Sequence, residues 1–234
     1  MIMIPIIAIS NLINGVIAGM LAGRIFLHHR KTHTDEHETT IGAHYFVALY
    51  SSLAAMWLLY AVPGIFVSNI TTITFSQIVG NVFVYITSII AVQIVFVSIN
   101  KKFLGIIAST IILIFGLVYI FGERLYALQY IEVVSSPYVY WHPNSPPWLA
   151  IMTGVTAMFG TLIFIATFFA YGLYARGNSA VFSRAIHLAG GMTFLLSAST
   201  LYFIFSNSGG LVTTTLASLF GIIGLLVMLR GIQY

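Results

Sequence analysis

Seven long runs of apolar sequence, at residues 2–26, 43–67, 73–99, 103–121, 148–175, 182–205 and 211–229, constrain this chain more than any other feature. None has a charged residue near its middle, and each approaches the roughly 20 apolar residues that carry a helix across a bilayer. In lipid every backbone polar group must find its partner within the chain, so the runs are read as helices. A lipid-facing β-barrel would need short segments of alternating polarity, which the sequence lacks. The expected fold is all-α: a polytopic membrane bundle of seven transmembrane helices. Composition agrees, since 59% of residues are hydrophobic and 6% charged, where an ordinary soluble domain is about a quarter charged. Seven spans and their connections use most of the 234 residues, so residues 1–234 are expected to form a single membrane domain with no soluble domain appended.

The first run lacks the basic start and small-residue cleavage site of a secretory signal and is long enough to span, so it is read as the first transmembrane helix. Orientation follows from the basic residues near the span ends. Arg24, Arg30, Lys31, Lys101, Lys102, Arg176, Arg184 and Arg230 fall on one side of alternating spans, and only Arg124 on the other. An odd span number puts the N-terminus outside and the C-terminus in the cytoplasm of a multi-pass cell-membrane protein. Six or eight spans would leave Arg230 on the sparsely charged side. The formal charge of +4 therefore reports orientation and gives no reason to expect nucleic acid as a partner. With no cysteine, disulfides, thiolate chemistry, iron–sulfur clusters and covalent c-type haem attachment are excluded.

Three segments outside the span centres invite a functional reading. Residues 122–147, GERLYALQYIEVVSSPYVYWHPNSPP, are rich in aromatics and proline. They suit an interfacial belt or a lid through which Trp141 touches a ligand. In the first run, Gly15, Gly19 and Gly23 recur every four residues, a spacing that lets another helix come close, either within the bundle or in a homo-oligomer. The first inner loop, HHRKTHTDEHETT, puts His29, His33 and His37 on one helical face at a spacing able to hold a divalent transition metal. It resembles the histidine boxes of membrane di-iron hydroxylases and desaturases, but those enzymes need several such boxes and this chain has seven histidines in all. A solvated loop of mixed charge is the simpler reading, and a metal is not expected. Haem is not expected either, since only His44 and His187, both at span edges, could form an axial pair.

Within the spans the polarity is neutral. Proton pumps, cation-coupled carriers and voltage sensors keep ionisable residues inside the membrane, so the uncharged span centres argue against those roles. The seven-span, N-outside layout resembles that of microbial rhodopsins, but the seventh run, LVTTTLASLFGIIGLLVML, has no lysine to form a retinal Schiff base. What remains are stripes of amides and hydroxyls: Gln77, Asn81, Tyr85 and Ser88 on the third span, Thr193, Ser197 and Thr200 on the sixth, Thr214 and Ser218 on the seventh. They should face protein or a cavity, where they would bond between helices or orient a small neutral or apolar ligand. Gln77, Asn81, Tyr85, Ser88, Thr193, Ser197 and Trp141 are the candidate ligand residues.

The segment RIFLHHRKTHTDEHETTIGAHYFVALYSSLAAMWLLYAVPGIF has a basic loop followed by a span with a central Trp57 and then Leu-Leu-Tyr. It resembles the start of the seven-helix N-terminal sensor region of bacterial and archaeal histidine kinases. The stretch WHPNSPPWLAIMTGVTAMFGTLIFIATFFAYGLYARGNSAVFSRAIHLAGG is similar in layout, with an aromatic outer segment, a long fifth span and a short basic turn. The resemblance covers the chain in span order and implies a noncatalytic receptor or sensor-like module. Because this sequence ends soon after Arg230, the expected output is a separate membrane-protein partner. The alternatives are a structural subunit of a larger membrane complex and, third, a transporter or channel for a neutral solute. An enzyme is not expected, since no nucleophile–base pair or full metal set appears.

Overall fold

A helix satisfies its backbone hydrogen bonds internally, and at 1.5 Å per residue about 20 residues cross the hydrocarbon core. In the computed structural model, which describes residues 5–31, 37–66, 69–125, 130–135, 138–143, 146–203 and 206–232, each apolar run forms such a helix. They are α1 (Ile6–Lys31), α2 (His37–Phe66), α3 (Ile70–Ser98), α4 (Lys102–Leu125), α5 (Pro147–Tyr174), α6 (Ser179–Phe203) and α7 (Ser206–Ile232). Among the described residues, seven helices are long and apolar enough to cross a membrane, the mark of a multi-pass membrane protein.

Several helices run past their apolar stretches, because backbone bonding continues into polar sequence until a cap stops it. Asn69 starts α3, its side chain accepting from the Thr71 amide at 2.9 Å. Asn178 does the same before α6, accepting from the Val181 amide at 3.2 Å. Pro146 and Pro147 open α5, where a missing N–H costs nothing. Asn100 ends α3 in the left-handed region at φ 56°. There the Asn100 amide donates to the Val97 carbonyl at 3.0 Å, and the Lys101 amide to Phe96 at 2.7 Å, the pairing of a Schellman turn.

One feature differs from the expected all-helical fold. Residues inside the aromatic segment 122–147 form a two-stranded antiparallel hairpin, β1 (Tyr130–Ser135) and β2 (Tyr138–Pro143), in register from Tyr130 opposite Pro143 to Ser135 opposite Tyr138. The cause is composition: YIEVVS and YVYWHP are dense in β-branched and aromatic residues that favour strands. The hairpin lies against α1 and α3, over the end of the bundle where α5 begins.

The helices close into a ring in the order α1, α2, α3, α5, α6, α7 and back to α1, with α4 outside against α3 and α5. Only 17% of the α4 span is buried, against 33% to 50% for the other six. Phe103, Ile106, Ile111, Ile114 and Phe121 stand on its open face. The main core joins Tyr50 and Trp57 of α2 to Phe164 of α5 and to Leu225 and Met228 of α7. A second cluster, Tyr85, Val92, Ile112, Tyr119 and Leu149, binds α4 to α3 and α5.

Candidate functional site

Lipid is as apolar as leucine, so the contacts between membrane helices come from close packing and interhelical hydrogen bonds rather than burial from water. The bundle does not pack solid at its centre. A cavity lies inside the ring, bordered by Asn11 of α1, Trp57 and Tyr60 of α2, Thr87 and Ser88 of α3, Ala157 and Thr161 of α5, Met192 and Ser199 of α6 and Ser218 of α7. It has a volume of about 80 Å³, counted as room for the centres of water-sized spheres. That is space for about five to eight waters, or a ligand of comparable bulk. The lining holds no Asp, Glu, Lys, Arg or His.

Glycines and amides shape its walls. A Cβ on Gly160 would stand 3.2 Å from the Ser88 carbonyl, which marks how closely α5 approaches α3. A Cβ on Gly221 would stand 3.2 Å from the Trp57 ring, so α7 leaves room for the indole. Asn14, fully buried, donates to the Ser218 carbonyl at 3.2 Å and ties α1 to α7. The Tyr50 hydroxyl donates to the Leu225 carbonyl at 3.3 Å and ties α2 to the same helix.

The polar stripe of the third span divides by depth and neighbour. Ser88 lines the cavity. Gln77 donates to the Tyr60 carbonyl at 3.2 Å, and Tyr85 shares a 2.9 Å bond with Thr153 of α5. Asn81 accepts from the Tyr60 hydroxyl and donates to the Tyr119 hydroxyl at 2.7 Å. Tyr119 in turn bonds the buried Glu123 near the end of α4. Gln77, Asn81 and Tyr85 thus join helices, and only Ser88 of this set borders the cavity. On α6, Thr193 and Ser197 each donate to the carbonyl four residues back, at 2.9 and 3.0 Å, and neither borders the cavity. A hydroxyl that bonds its own helix needs no neighbour, so the stripe on α6 does not identify an inward face. Trp141 sits in β2 opposite Glu132; its side chain lies outside the described residues, as do those of Thr214 and His37.

The glycine series of α1 is unequal. At Gly15 a Cβ would meet Leu58 of α2 at 2.9 Å, at Gly19 it would stand 3.9 Å from Ala54, and at Gly23 nothing lies within 4 Å. His29 falls in the last turns of α1, its ring edge-on to His44 of α2 with centroids 5.2 Å apart. His33 lies outside the described residues, and among those described no three His, Cys, Asp or Glu gather as a metal site. His187 bonds the Ser183 carbonyl of its own helix through Nδ1 at 2.7 Å.

No protein-family model, curated protein or solved structure matches this chain. Of the candidate ligand residues only Ser88 borders the cavity; Ser218 enters the sequence reading as part of a polar stripe and Trp57 as a landmark of the second span, while Tyr60, Thr87, Thr161 and Ser199 are cavity residues that the sequence reading misses. The available signal was the spacing of Trp57 and Tyr60, three apart on one helix face. Thr161 stands among apolar neighbours, and Ser199 lies beside Ser197 and Thr200 but off their helical stripe, so no periodic pattern marks either.

Proposed function

We propose that this protein is a noncatalytic membrane receptor or sensor-like module that holds a small neutral or apolar ligand in the central cavity and signals through a separate partner. The cavity carries this reading: it is lined by six helices, mainly apolar, free of charge, and dotted with a few amides and hydroxyls, the usual make-up of a small-molecule site. The resemblance to histidine-kinase sensor regions is one of layout in the sequence, and the sensor reading rests on the cavity instead. The concentration of lysine and arginine at the α3–α4 and α5–α6 turns and the C-terminal ends of α1 and α7 supports a cytoplasmic face there. The N-terminus and the hairpin are then outside.

The test is thermal unfolding of the full chain in mild detergent against a panel of small neutral compounds: alcohols, quinones, heteroaromatics and short lipids. A ligand at 100 times its Kd adds about 2.7 kcal/mol, and about 2–4 °C per kcal/mol is expected at this size, so a binder raises Tm by several degrees. Ala157→Phe, which fills the cavity, abolishes that shift. A panel without any stabiliser, or a shift that survives Ala157→Phe, refutes the proposal.

A further inference from the structure

We infer that the cavity selects a neutral ligand that donates a hydrogen bond, such as an alcohol, a phenol or an N–H heterocycle. This rests on the reading of the cavity as a ligand site and names the class of ligand that fits it. A hydroxyl group has one hydrogen and two lone pairs, so what it offers a ligand depends on where its hydrogen already points. Ser88 directs its hydrogen to the Val84 carbonyl at 2.9 Å, and Thr161 to the Ala157 carbonyl at 2.6 Å. Ser52 donates to the Leu49 carbonyl at 2.9 Å, so the hydrogen in the 2.9 Å contact between Ser52 and Thr87 comes from Thr87.

Three oxygens on the side of the cavity built by α3 and α5, those of Ser88, Thr87 and Thr161, therefore offer a ligand lone pairs only. A ligand that only accepts would set lone pairs against lone pairs there, leaving buried polar atoms unsatisfied. A cationic donor such as an ammonium would enter a cavity with no carboxylate in its lining, and an unpaired buried charge is far more costly than a neutral group. The opposite side is permissive, since the Asn11 amide can both donate and accept. The discrimination comes from the α3 and α5 side.

Indole, benzofuran and indene share one bicyclic frame and differ at a single position, an N–H donor, a weak acceptor oxygen or a CH2. Equilibrium dialysis of the detergent-solubilised full chain should show indole binding about three- to tenfold more tightly than the other two, the value of one net hydrogen bond. That preference should fall toward unity in at least one of Ser88→Ala, Thr87→Val and Thr161→Val, and persist in Thr161→Ser, which keeps the hydroxyl and reports that the fold is intact. Equal binding of the three compounds, blocked by Ala157→Phe, overturns the donor inference while the cavity remains a ligand site. A preference unchanged in all three hydroxyl-removing variants also overturns it. Absence of binding by these three, with other compounds stabilising the protein, overturns the donor class alone; absence of any stabiliser overturns the cavity reading with it.

Discussion

Asn81 shows how much a single neutral side chain can carry in this bundle. Its amide is held between tyrosines of α2 and α4, so Asn81→Ala removes two interhelical bonds at once. An average interhelical bond in a membrane is worth about 0.6 kcal/mol, and the void left by the truncated amide adds to that loss. Unfolding in a denaturing detergent should show Asn81→Ala losing about 1–3 kcal/mol, and Tyr119→Phe, which takes a partner from both Asn81 and the buried Glu123, losing a comparable amount. Thr193→Val should stay within about 0.5 kcal/mol, because that exposed hydroxyl bonds only its own helix. A loss at Thr193 equal to that at Asn81 would contradict this division of the two stripes. In the sequence both stripes have the same helical spacing. Periodicity reports a face; it does not tell whether the polar atom is already satisfied by the carbonyl one turn back.

At the scale of the helix, the closest approach is between α6 and α7, and glycine makes it. A Cβ on Gly191 would meet the Gly224 carbonyl at 2.6 Å and the Met228 amide at 2.6 Å, and one on Gly231 would meet the Arg184 carbonyl at 2.8 Å. These neighbours are backbone, which cannot swing aside. Gly191→Val should destabilise the protein by about 1–3 kcal/mol or more and loosen α7, read as faster proteolysis of the C-terminal part. Gly23→Leu, with nothing within 4 Å, should be nearly neutral in the same assay, and Gly15→Ala intermediate because Leu58 must give way. If Gly23→Leu proved the more damaging, its face would have to be covered by another chain. The regular four-residue series on α1 is the more visible pattern in the sequence, yet the tightest crossing uses Gly191, Gly224 and Gly231, which lie on two helices and form no motif within either. Close approach is a property of a pair of helices, and a single sequence displays its helices one at a time.

For the whole molecule, the ring of six helices with α4 outside sets what each face meets. Among the described residues none covers the open side of α4, an apolar face suited to lipid. The proposed orientation is testable because the chain has no cysteine. Asn178→Cys in the α5–α6 turn should react with a membrane-impermeant maleimide only after the cell is opened. Asn69→Cys, exposed before α3 at the opposite end, should react in intact cells. The reverse pattern would invert the topology.

Hydropathy and length alone determined the seven spans, their order and the sorting of basic residues to one end, because the membrane imposes the same requirement on every crossing segment: about 20 apolar residues with all backbone groups paired. The inward placement of Asn81, Tyr85 and Ser88 was legible for the same reason, since polar side chains avoid lipid. The ring order, the position of α4 outside it, the hairpin and the central cavity depend on which faces fit one another. Only the tertiary structure decided them: cavity walls are contributed by six helices across more than 200 residues of sequence, from Asn11 to Ser218, and each contributes residues that look like ordinary core by themselves.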